Sequence, residues 1–273
     1  MTKIWFITGT SRGLGRVWAE AALERGDRVV ATARDVKSLD ELVRRFPDAV
    51  HPVALDVRDR AAAFAAVAAG WERFGRLDVV VNNAGYGLFG AVEELAEEQV
   101  RAQLDTNLLG PLWVTQAALP MLRAQGSGHL LQVSSIGGVA AFALLGAYNA
   151  SKWGLEALSE ALAQEVAPAG VRVTIVEPGP YGTDWSGDSA VWAEPDPAYD
   201  EFRQARRAAA AGHVPIDPRA TAKAVRDLVD LAEPPLRLFL GTYPYAVAER
   251  VYADRLKTWR DWHELAATAD ADS

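Results

Sequence analysis

The chain opens with a short apolar run that passes directly into a glycine-rich turn and then into a helical pattern. The run extends from Lys3 to Thr8, the turn reads TGTSRGLG, and Trp18, Ala22 and Leu23 fall on one face of the following helix. Strand, glycine turn and helix in this order are what a dinucleotide site needs. Further along, six or seven strand patterns alternate with helical ones, which predicts a single α/β domain with a Rossmann-like, doubly wound parallel sheet.

Three glycines in the first turn have distinct roles in such a site. Gly9 permits the tight turn, and Gly13 and Gly15 remove side chains where the backbone approaches a pyrophosphate lying on the helix N-terminus. Their spacing differs from the common Rossmann fingerprint and resembles that of the short-chain dehydrogenase/reductase family, although an ordinary glycine-rich turn is the alternative. We assign the whole turn to cofactor binding: Gly9, Thr10, Ser11, Arg12, Gly13, Leu14 and Gly15.

The end of the second strand, RVVATA, predicts which cofactor is bound. In NAD-binding proteins of this fold an acidic residue there holds the ribose hydroxyls and repels a phosphate. Here Ala33 occupies that position and Arg34 follows it. Arg34 together with Arg12 could hold the adenosine 2′-phosphate, so we predict NADP(H). Alternatively, Arg34 is solvated and Asp35 takes the role of the acid.

Two further segments match cofactor-contacting motifs of the same family. The apolar run Leu77 to Val81 is too short for a helix and predicts a strand buried on both faces. It is followed by NNAG, in which the resemblance implies that the asparagines brace the central sheet and that the motif passes close to the cofactor. The other segment is the strand VHPVALD, at whose end the resemblance implies that Asp56 and Val57 contact the adenine. In the NNAG segment the implied cofactor contacts are Asn83, Ala84 and Gly85.

Tyr148 and Lys152 form the catalytic core of the prediction. On a predicted helix they lie one turn apart, which places an ammonium group beside a phenol. A neighbouring positive charge lowers the pKa of a phenol from its usual value of about 10 and makes it a usable proton donor. The same spacing also arises by chance in a surface tyrosine beside a solvated lysine. The resemblance implies that both residues also contact the cofactor.

A serine completes the predicted acid chemistry. Ser135 precedes Tyr148 by thirteen residues, which is the spacing that the family has between its catalytic serine and tyrosine. Its hydroxyl can donate to a substrate oxygen and hold it where the tyrosine proton arrives. Ser134 is the alternative.

A serine hydrolase is the rival reading of an α/β chain with a key serine. The sequence has no G-x-S-x-G elbow, and its histidines are scattered. We therefore predict structural or surface roles for His51, His129, His213 and His263.

Asn107 lies in a long helix predicted to begin at about Glu97, where Gly110 and Pro111 should disturb the regular hydrogen bonding. The resemblance implies that Asn107 holds a water that links the lysine to bulk solvent. Alternatively, its side chain bonds to carbonyls that the proline leaves free, and the two roles are compatible.

The last motif follows the strand VRVTIVEPG. The resemblance implies that Pro178 and Gly179 bracket the nicotinamide and that Thr183 bonds its carboxamide or the nearby phosphate. The matching motifs thus run from Thr8 to Thr183, about two thirds of the chain. We assign residues 1–183 to the cofactor-binding and catalytic core of a single domain, 1–273.

Two segments beyond this core are predicted with less detail. Residues 184–215 correspond to the substrate lid of resembling enzymes, and their aromatic residues indicate either an apolar substrate or packing of the lid on the body. Residues 242–273 form a helical extension in which Tyr245, Tyr252 and Trp259 fall on one stripe. Packing on the core, a subunit contact and a wall of the substrate pocket are the alternatives for this stripe.

Composition excludes several classes of function. The 28 basic and 36 acidic residues give a formal charge of −8, which argues against a nucleic-acid surface. No cysteine is present, which excludes disulfides, thiolate metal sites and cysteine nucleophiles, and we predict no metal site. No apolar run can span a bilayer and no export signal begins the chain, so we expect a cytoplasmic protein without a membrane partner.

Together these features predict an oxidoreductase that transfers hydride between NADP(H) and a small-molecule ketone, aldehyde or secondary alcohol, with an apolar substrate. The predicted catalytic residues are Asn107, Ser135, Tyr148 and Lys152. The resemblance implies a homodimer or homotetramer. A non-catalytic NADP(H)-binding redox sensor and an epimerase or dehydratase on the same fold are the alternatives.

Overall fold

A computed structural model describes residues 2–210, 212 and 215–270; His213 lies outside the described residues. Strands and helices alternate along the chain. The strands are β1 (Ile4–Ile7), β2 (Arg28–Ala33), β3 (Val50–Ala54), β4 (Val79–Asn82), β5 (Leu88–Phe89), β6 (Gly128–Val133), β7 (Val171–Pro178), β8 (Val191–Trp192) and β9 (Arg237–Leu240). The α-helices are α1 (Gly13–Glu24), α2 (Asp40–Arg45), α3 (Arg60–Phe74), α4 (Glu97–Leu104), α5 (Gly110–Gln125), α6 (Gly146–Val166), α7 (Asp200–Ala210), α8 (Thr221–Asp230), α9 (Tyr243–Asp261) and α10 (His263–Ala267).

Seven of these strands form one parallel sheet in the order β3-β2-β1-β4-β6-β7-β9. The chain winds outward in one direction from β1 to β3 and in the other from β4 to β9. Ligands of such sheets bind beyond the carboxyl ends of the strands, at the point where the order reverses. The predicted doubly wound α/β fold is confirmed, and the reversal between β1 and β4 gives the position of the site.

Helices cover both faces of the sheet, so its strands are apolar on both sides. On β1, Trp5 and Ile7 pack into a core cluster with residues of α1, α2 and α8, whereas Ile4 and Phe6 pack into a second cluster with residues of α3 and α5. The Trp18 indole on α1 donates a hydrogen bond of 2.8 Å to the Thr221 hydroxyl on α8. These contacts hold the helix that begins at the glycine turn.

The long helix predicted from Glu97 is interrupted. α4 ends at Leu104, residues Asp105–Leu109 form a single π-helical turn, and α5 begins at Gly110. Pro111 lies two residues after the π-turn, inside this continuous helical run, where it supplies no backbone N–H donor. The predicted disturbance is therefore present as a π-turn, and Asn107 lies inside it.

The extension after β9 contacts the body through its first turns. Val247 of α9 is buried in a small cluster with Ile136, Val139 and Ala140, which follow Ser135. The predicted aromatic stripe is largely in solvent: Tyr245, Tyr252 and Trp259 are 62%, 47% and 65% exposed. Packing of this stripe on the core is therefore wrong, because Val247, Ala248 and Val251 face the body and the stripe lies on a different face of α9. A subunit contact and a pocket wall stay predictions.

None of the helices in the described ranges combines the length and the apolar character that crossing a membrane requires. The cytoplasmic location and the homodimer or homotetramer stay predictions.

Stability should fall in acid because of His129. Its ring on β6 bonds to the Thr174 hydroxyl at 2.9 Å, and burial, aided by the charges of Arg172 and Lys3, lowers its pKa from 6.5 to about 4. The unfolded chain binds this proton first, so stability present above pH 6.5 is lost as the pH falls toward about 4. His129→Gln should remove this component, about 3 kcal/mol at most.

Urea denaturation at the two ends of this pH window measures the effect. His263→Gln, at an exposed position, is the control and should keep the wild-type pH slope. An unchanged slope in His129→Gln would show that other groups cause the acid loss.

Candidate active site

The turn between β1 and α1 leaves space that only glycine can provide. Gly9 and Gly13 have left-handed backbone φ angles of 71° and 63°. A Cβ on Gly15 would lie 2.4 Å from the Gly9 carbonyl oxygen. The Arg12 side chain does not cap α1, and no acidic residue lies in the first turn. The helix N-terminus thus keeps N–H groups for an anion, and this cradle fits a dinucleotide pyrophosphate.

The NNAG segment holds the glycine turn in place. The Asn83 amide nitrogen donates to the carbonyl oxygens of Thr8 and Gly9 at 2.9 and 3.1 Å, and the Ala84 N–H donates to the Thr8 hydroxyl at 2.9 Å. Asn82 instead donates to Gln132 of the neighbouring strand β6 and to Thr115 and Pro111 of helix α5, which ties the sheet to that helix. One asparagine therefore braces the sheet and the next one shapes the turn.

The cationic residues expected at the adenosine phosphate differ in their partners. Arg12 pairs with Asp184 of the lid segment at 2.8 Å. Arg34 is exposed and forms no ion pair within the described part of the chain. The Asp35 carboxylate caps a short 3-10 helix by accepting from the Lys37 N–H at 3.0 Å. One Asp35 oxygen is therefore bonded within its own loop, whereas the Arg34 guanidinium has no ion-pair partner in the described part of the chain.

The remaining predicted cofactor residues lie along the carboxyl edge. Asp56 accepts hydrogen bonds from Arg58, which hold its pKa below the usual range, and the charge of Arg34 adds to this effect. The other residues lie in or beside the turns of this edge: Thr10, Ser11, Leu14, Val57, Gly85, Pro178, Gly179 and Thr183.

A polar cleft of about 890 Å³ opens beside the glycine turn, and Ser11, Gly13 and Thr183 form part of its wall. Tyr148 does not line this cleft. The Trp185 ring covers Tyr148 instead, with ring centres 5.0 Å apart. The large cleft therefore lies beside the glycine turn, whereas Tyr148 lies beneath Trp185.

Helix α6 brings the predicted acid and lysine together. Tyr148 and Lys152 are both buried, and the Lys152 nitrogen lies 6.0 Å from the centre of the Tyr148 ring. That nitrogen donates to the Val133 carbonyl oxygen at the end of β6, at 2.7 Å. The Ser135 hydroxyl accepts from the Gly137 N–H at 3.0 Å, and it lies close enough to Tyr148 to lower the pKa of that phenol. Ser134 instead donates to Glu156.

Asn107 lies next to this group across Gly85. A Cβ on Gly85 would lie 3.0 Å from the Asn107 amide oxygen and 3.6 Å from the Lys152 nitrogen. Both ends of the Asn107 amide bind the backbone of Tyr86, at 3.1 and 3.0 Å. Its nitrogen also donates to the Ser151 hydroxyl at 3.2 Å. The π-turn thus aims Asn107 at the loop after β4.

The protonation states differ from the sequence-based expectation. Burial raises the pKa of Tyr148 to about 12, and the hydrogen bond with Ser135 opposes this rise. Burial lowers the pKa of Lys152 to about 8, and the charge of Glu156 opposes this fall. The expected lowering of the tyrosine pKa by the lysine is therefore absent here, because burial is the largest influence on the pKa of each group.

Aromatic rings form a row from the surface to Tyr148. Trp192 stacks on Phe89 at 4.4 Å, Phe89 meets Trp185 edge-on at 5.0 Å, and Trp185 meets Tyr148 in the same way. The parallel pairing of β5 with β8 holds Phe89 and Trp192 together. Gly87 lies beneath Trp185, where a Cβ would approach the indole to 2.8 Å. Packing of the lid on the body and a wall above Tyr148 are both present.

Comparison with known proteins gives this arrangement its family. The family model described as short chain dehydrogenase matches residues 3–193, which include the glycine turn, Tyr148 and Lys152. The chain belongs to the short-chain dehydrogenase family. It is therefore an oxidoreductase of that type.

Relatives resemble this short-chain dehydrogenase over nearly its whole length. Oxidoreductase BOA17 of Botryotinia fuckeliana is 45% identical over 97% of this chain and 98% of its own. A short-chain dehydrogenase from Streptomyces avermitilis is 39% identical and superposes with a TM-score of 0.91 over 98% of both chains. An alcohol dehydrogenase from the archaeon Thermococcus sibiricus, complexed with 5-hydroxy-NADP, is 30% identical with a TM-score of 0.74 over 88% of this chain and 96% of its own.

Some residues of the site were missed by reasoning from sequence. Glu156 and Glu177 are buried, and both accept hydrogen bonds from Arg237. Glu156 follows Lys152 by one helical turn, so its spacing was a readable signal. The pairing of Arg12 with Asp184 had no such signal, because these residues meet only through the fold.

Proposed function

We propose that this short-chain dehydrogenase is an NADP(H)-dependent carbonyl reductase or alcohol dehydrogenase that acts on an apolar ketone, aldehyde or secondary alcohol. The observation that supports it best is the placement of Tyr148 between Ser135 and Lys152, at the carboxyl edge that also holds the glycine turn. An acid, an orienting hydroxyl and a dinucleotide cradle at one edge suit hydride transfer to a carbonyl.

The residues divide the work of carbonyl reduction. When bound, the nicotinamide cofactor supplies the hydride. The Tyr148 hydroxyl gives its proton to the substrate oxygen as negative charge develops there, and the Ser135 hydroxyl donates a hydrogen bond to that oxygen. A raised pKa keeps Tyr148 neutral at physiological pH, which is the form that donates a proton. The Lys152 ammonium stabilises the phenolate that remains and would also hold the nicotinamide ribose.

Asn107 would support the return of a proton from solvent to Lys152 and Tyr148. Its amide fixes the Tyr86 backbone and faces Lys152 across Gly85. A π-helical turn offsets the helical register and exposes polar groups that a regular helix would bond internally. We propose that Asn107 positions a water that connects Lys152 with solvent.

The preference for NADP(H) rests on Arg34 and Asp35. Arg34 is exposed without an ion-pair partner among the described residues, while Asp35 is occupied by the Lys37 N–H. A guanidinium suits a phosphate, whereas a carboxylate would suit two ribose hydroxyls. The complex of the Thermococcus sibiricus relative with 5-hydroxy-NADP adds support.

An apolar substrate follows from the surroundings of Tyr148. A carbonyl that reaches the phenol must lie against Trp185 and Phe89, whose rings offer apolar surface. No described group of three or more histidine, aspartate or glutamate residues could hold a metal ion in this region or elsewhere. We propose that substrate orientation comes from these rings and from Ser135.

Tyr148→Phe should lower kcat by about 100-fold or more, because a positioned general acid contributes on this order. NADPH affinity should stay close to that of the wild type. The measurement is NADPH consumption over a panel of neutral ketones, steroids, quinones and aldehydes. Tyr199→Phe is the matched control, because it removes the hydroxyl of a lid tyrosine that donates a hydrogen bond to Glu93.

Wild-type turnover that persists in Tyr148→Phe would show that the acid lies elsewhere. Tight NADPH binding by a wild-type protein that turns over no carbonyl would favour the redox sensor.

Arg34→Asp should shift the ratio of kcat/KM for NADPH over NADH toward NADH by about 10- to 100-fold. The substitution removes a charged hydrogen-bond donor and supplies a carboxylate for the ribose hydroxyls. Arg44→Asp, an equally exposed charge reversal on α2, should leave the ratio unchanged. An unchanged ratio in Arg34→Asp itself would contradict the NADP(H) assignment.

Trp185→Ala should raise KM for bulky apolar ketones by about 3- to 10-fold, the worth of one aromatic contact, and leave small aliphatic ketones almost unaffected. Steady-state kinetics with ketones of graded size measure this difference. Trp192→Ala is the control, since Trp192 stacks on Phe89 and is not in contact with Tyr148. An equal rise of KM for all ketones would show that Trp185 only packs the lid on the body and does not contact the substrate.

A further inference from the structure

One face of α6 contacts three consecutive residues at the end of β6. The helix presents Tyr148, Lys152 and Glu156 at four-residue intervals, so that the three side chains lie one above the other. Tyr148 lies beside Ser135, whose hydroxyl acts on the pKa of the phenol, and the Lys152 nitrogen donates to the Val133 carbonyl oxygen. Ser134, which lies between Val133 and Ser135 in the chain, donates a hydrogen bond of 2.5 Å from its hydroxyl to Glu156. Each turn of the helix therefore contacts one residue of the strand end.

Glu156 is held rigidly in this position. It is 5% exposed, and its second oxygen accepts a hydrogen bond of 2.7 Å from Arg237 on β9. Gly138 closes the space above it, because a Cβ there would lie 2.1 Å from the Glu156 oxygen and 2.4 Å from the Ser134 hydroxyl. A carboxylate with both oxygens bonded and no free space has one orientation.

The position of Glu156 also matters for charge. Lys152 is buried, and no described carboxylate lies within ion-pair distance of its nitrogen. A buried ammonium group without a nearby negative charge loses its proton readily. Glu156, one turn away, is the carboxylate whose charge opposes that loss.

We propose that Glu156 is a positioning residue of the catalytic site, which fixes the backbone before Ser135 through Ser134 and supplies the buried negative charge that keeps Lys152 protonated. The proposal rests on the function proposed above. It extends the group of Asn107, Ser135, Tyr148 and Lys152 by one helical turn.

Other titratable and charged groups surround the pair of Lys152 and Glu156, and they define the control variants. Tyr148 and Glu160 lie on the same helix, Glu177 faces the pair from β7, and Arg237 faces it from β9. Glu160 pairs with Arg237 at 2.7 Å, as Glu156 does, but it is half-exposed and is not in contact with Ser134. Burial and the charge of Glu156 raise the pKa of Glu177 to about 7.

The first test follows the proton on Lys152 directly in the cofactor-free protein. The chain has five lysines, Lys3, Lys37, Lys152, Lys223 and Lys257, so carbon NMR of ε-labelled lysine resolves few signals. Loss of one signal in Lys152→Met identifies the residue. The titration midpoint of Lys152 in the wild-type protein should lie at about pH 8. Glu156→Gln should lower it by about one pH unit, because a nearby opposite charge is removed.

Glu160→Gln removes the same charge from the next turn and should leave the midpoint unchanged within a few tenths of a pH unit. An equal shift in both variants, or no shift in Glu156→Gln, would overturn the role of Glu156 in holding the Lys152 proton. If Glu156→Gln does not fold, Glu156→Asp retains the charge with a shorter reach, and its midpoint should match that of the wild type.

The second test separates positioning from charge. In Glu156→Gln the alkaline fall of kcat should begin about one pH unit lower, in step with the Lys152 midpoint. Ser134→Ala keeps the charge and removes the contact, so its kcat should fall several-fold at every pH with the alkaline limb unmoved. Wild-type kcat in Ser134→Ala would overturn the positioning role.

The two proposals fail in distinguishable ways. A wild-type protein that turns over no carbonyl with NADPH would overturn the proposed reductase, whereas the NMR midpoint would still decide whether Glu156 acts on Lys152.

Discussion

A buried ammonium group against a strand end is the interaction on which the site depends. Removing the Lys152 charge from water is costly unless acceptors surround it, and the Val133 carbonyl oxygen, at 2.7 Å, meets part of this need. That contact fixes the height of α6 against β6. Once the height is set, the turn before Lys152 brings Tyr148 to Ser135, and the turn after it brings Glu156 to Ser134. The catalytic geometry is thus a consequence of how one helix docks.

Features that backbone geometry dictates could be predicted from the sequence. Gly15 has to be glycine because a Cβ would collide with the Gly9 carbonyl oxygen, and Gly9 adopts a left-handed φ angle that other residues avoid. Such constraints leave the same residue types at the same spacing wherever the turn occurs. Tyr148 and Lys152 were readable for a similar reason, since four-residue spacing on a helix needs no tertiary information. Glu156 has that spacing too and was still missed.

Features created by contacts between distant segments could not be predicted in this way. Arg12 meets Asp184 only because the lid returns to the glycine turn. Pro111 indicated a disturbance near Asn107, but the form of a π-turn depends on the loop that the Asn107 amide binds. The sign of the Tyr148 pKa shift was also out of reach, because it depends on burial, whereas the sequence shows only neighbours along the helix. The prediction for the stripe on α9 failed for the same reason, since periodicity does not reveal which face of a helix meets the body.

The short ladder between β5 and β8 separates two properties that enzymes often have to balance. The proposed acid, Tyr148, depends on α6 and the sheet, whose residues are tightly packed. The ring row depends on two strands of two residues each, outside the main sheet. A substitution at Trp185 would therefore change the surface proposed to select the substrate and leave in place the core that holds Lys152. With this architecture, the substrate range can change during evolution while the residues proposed for catalysis stay the same.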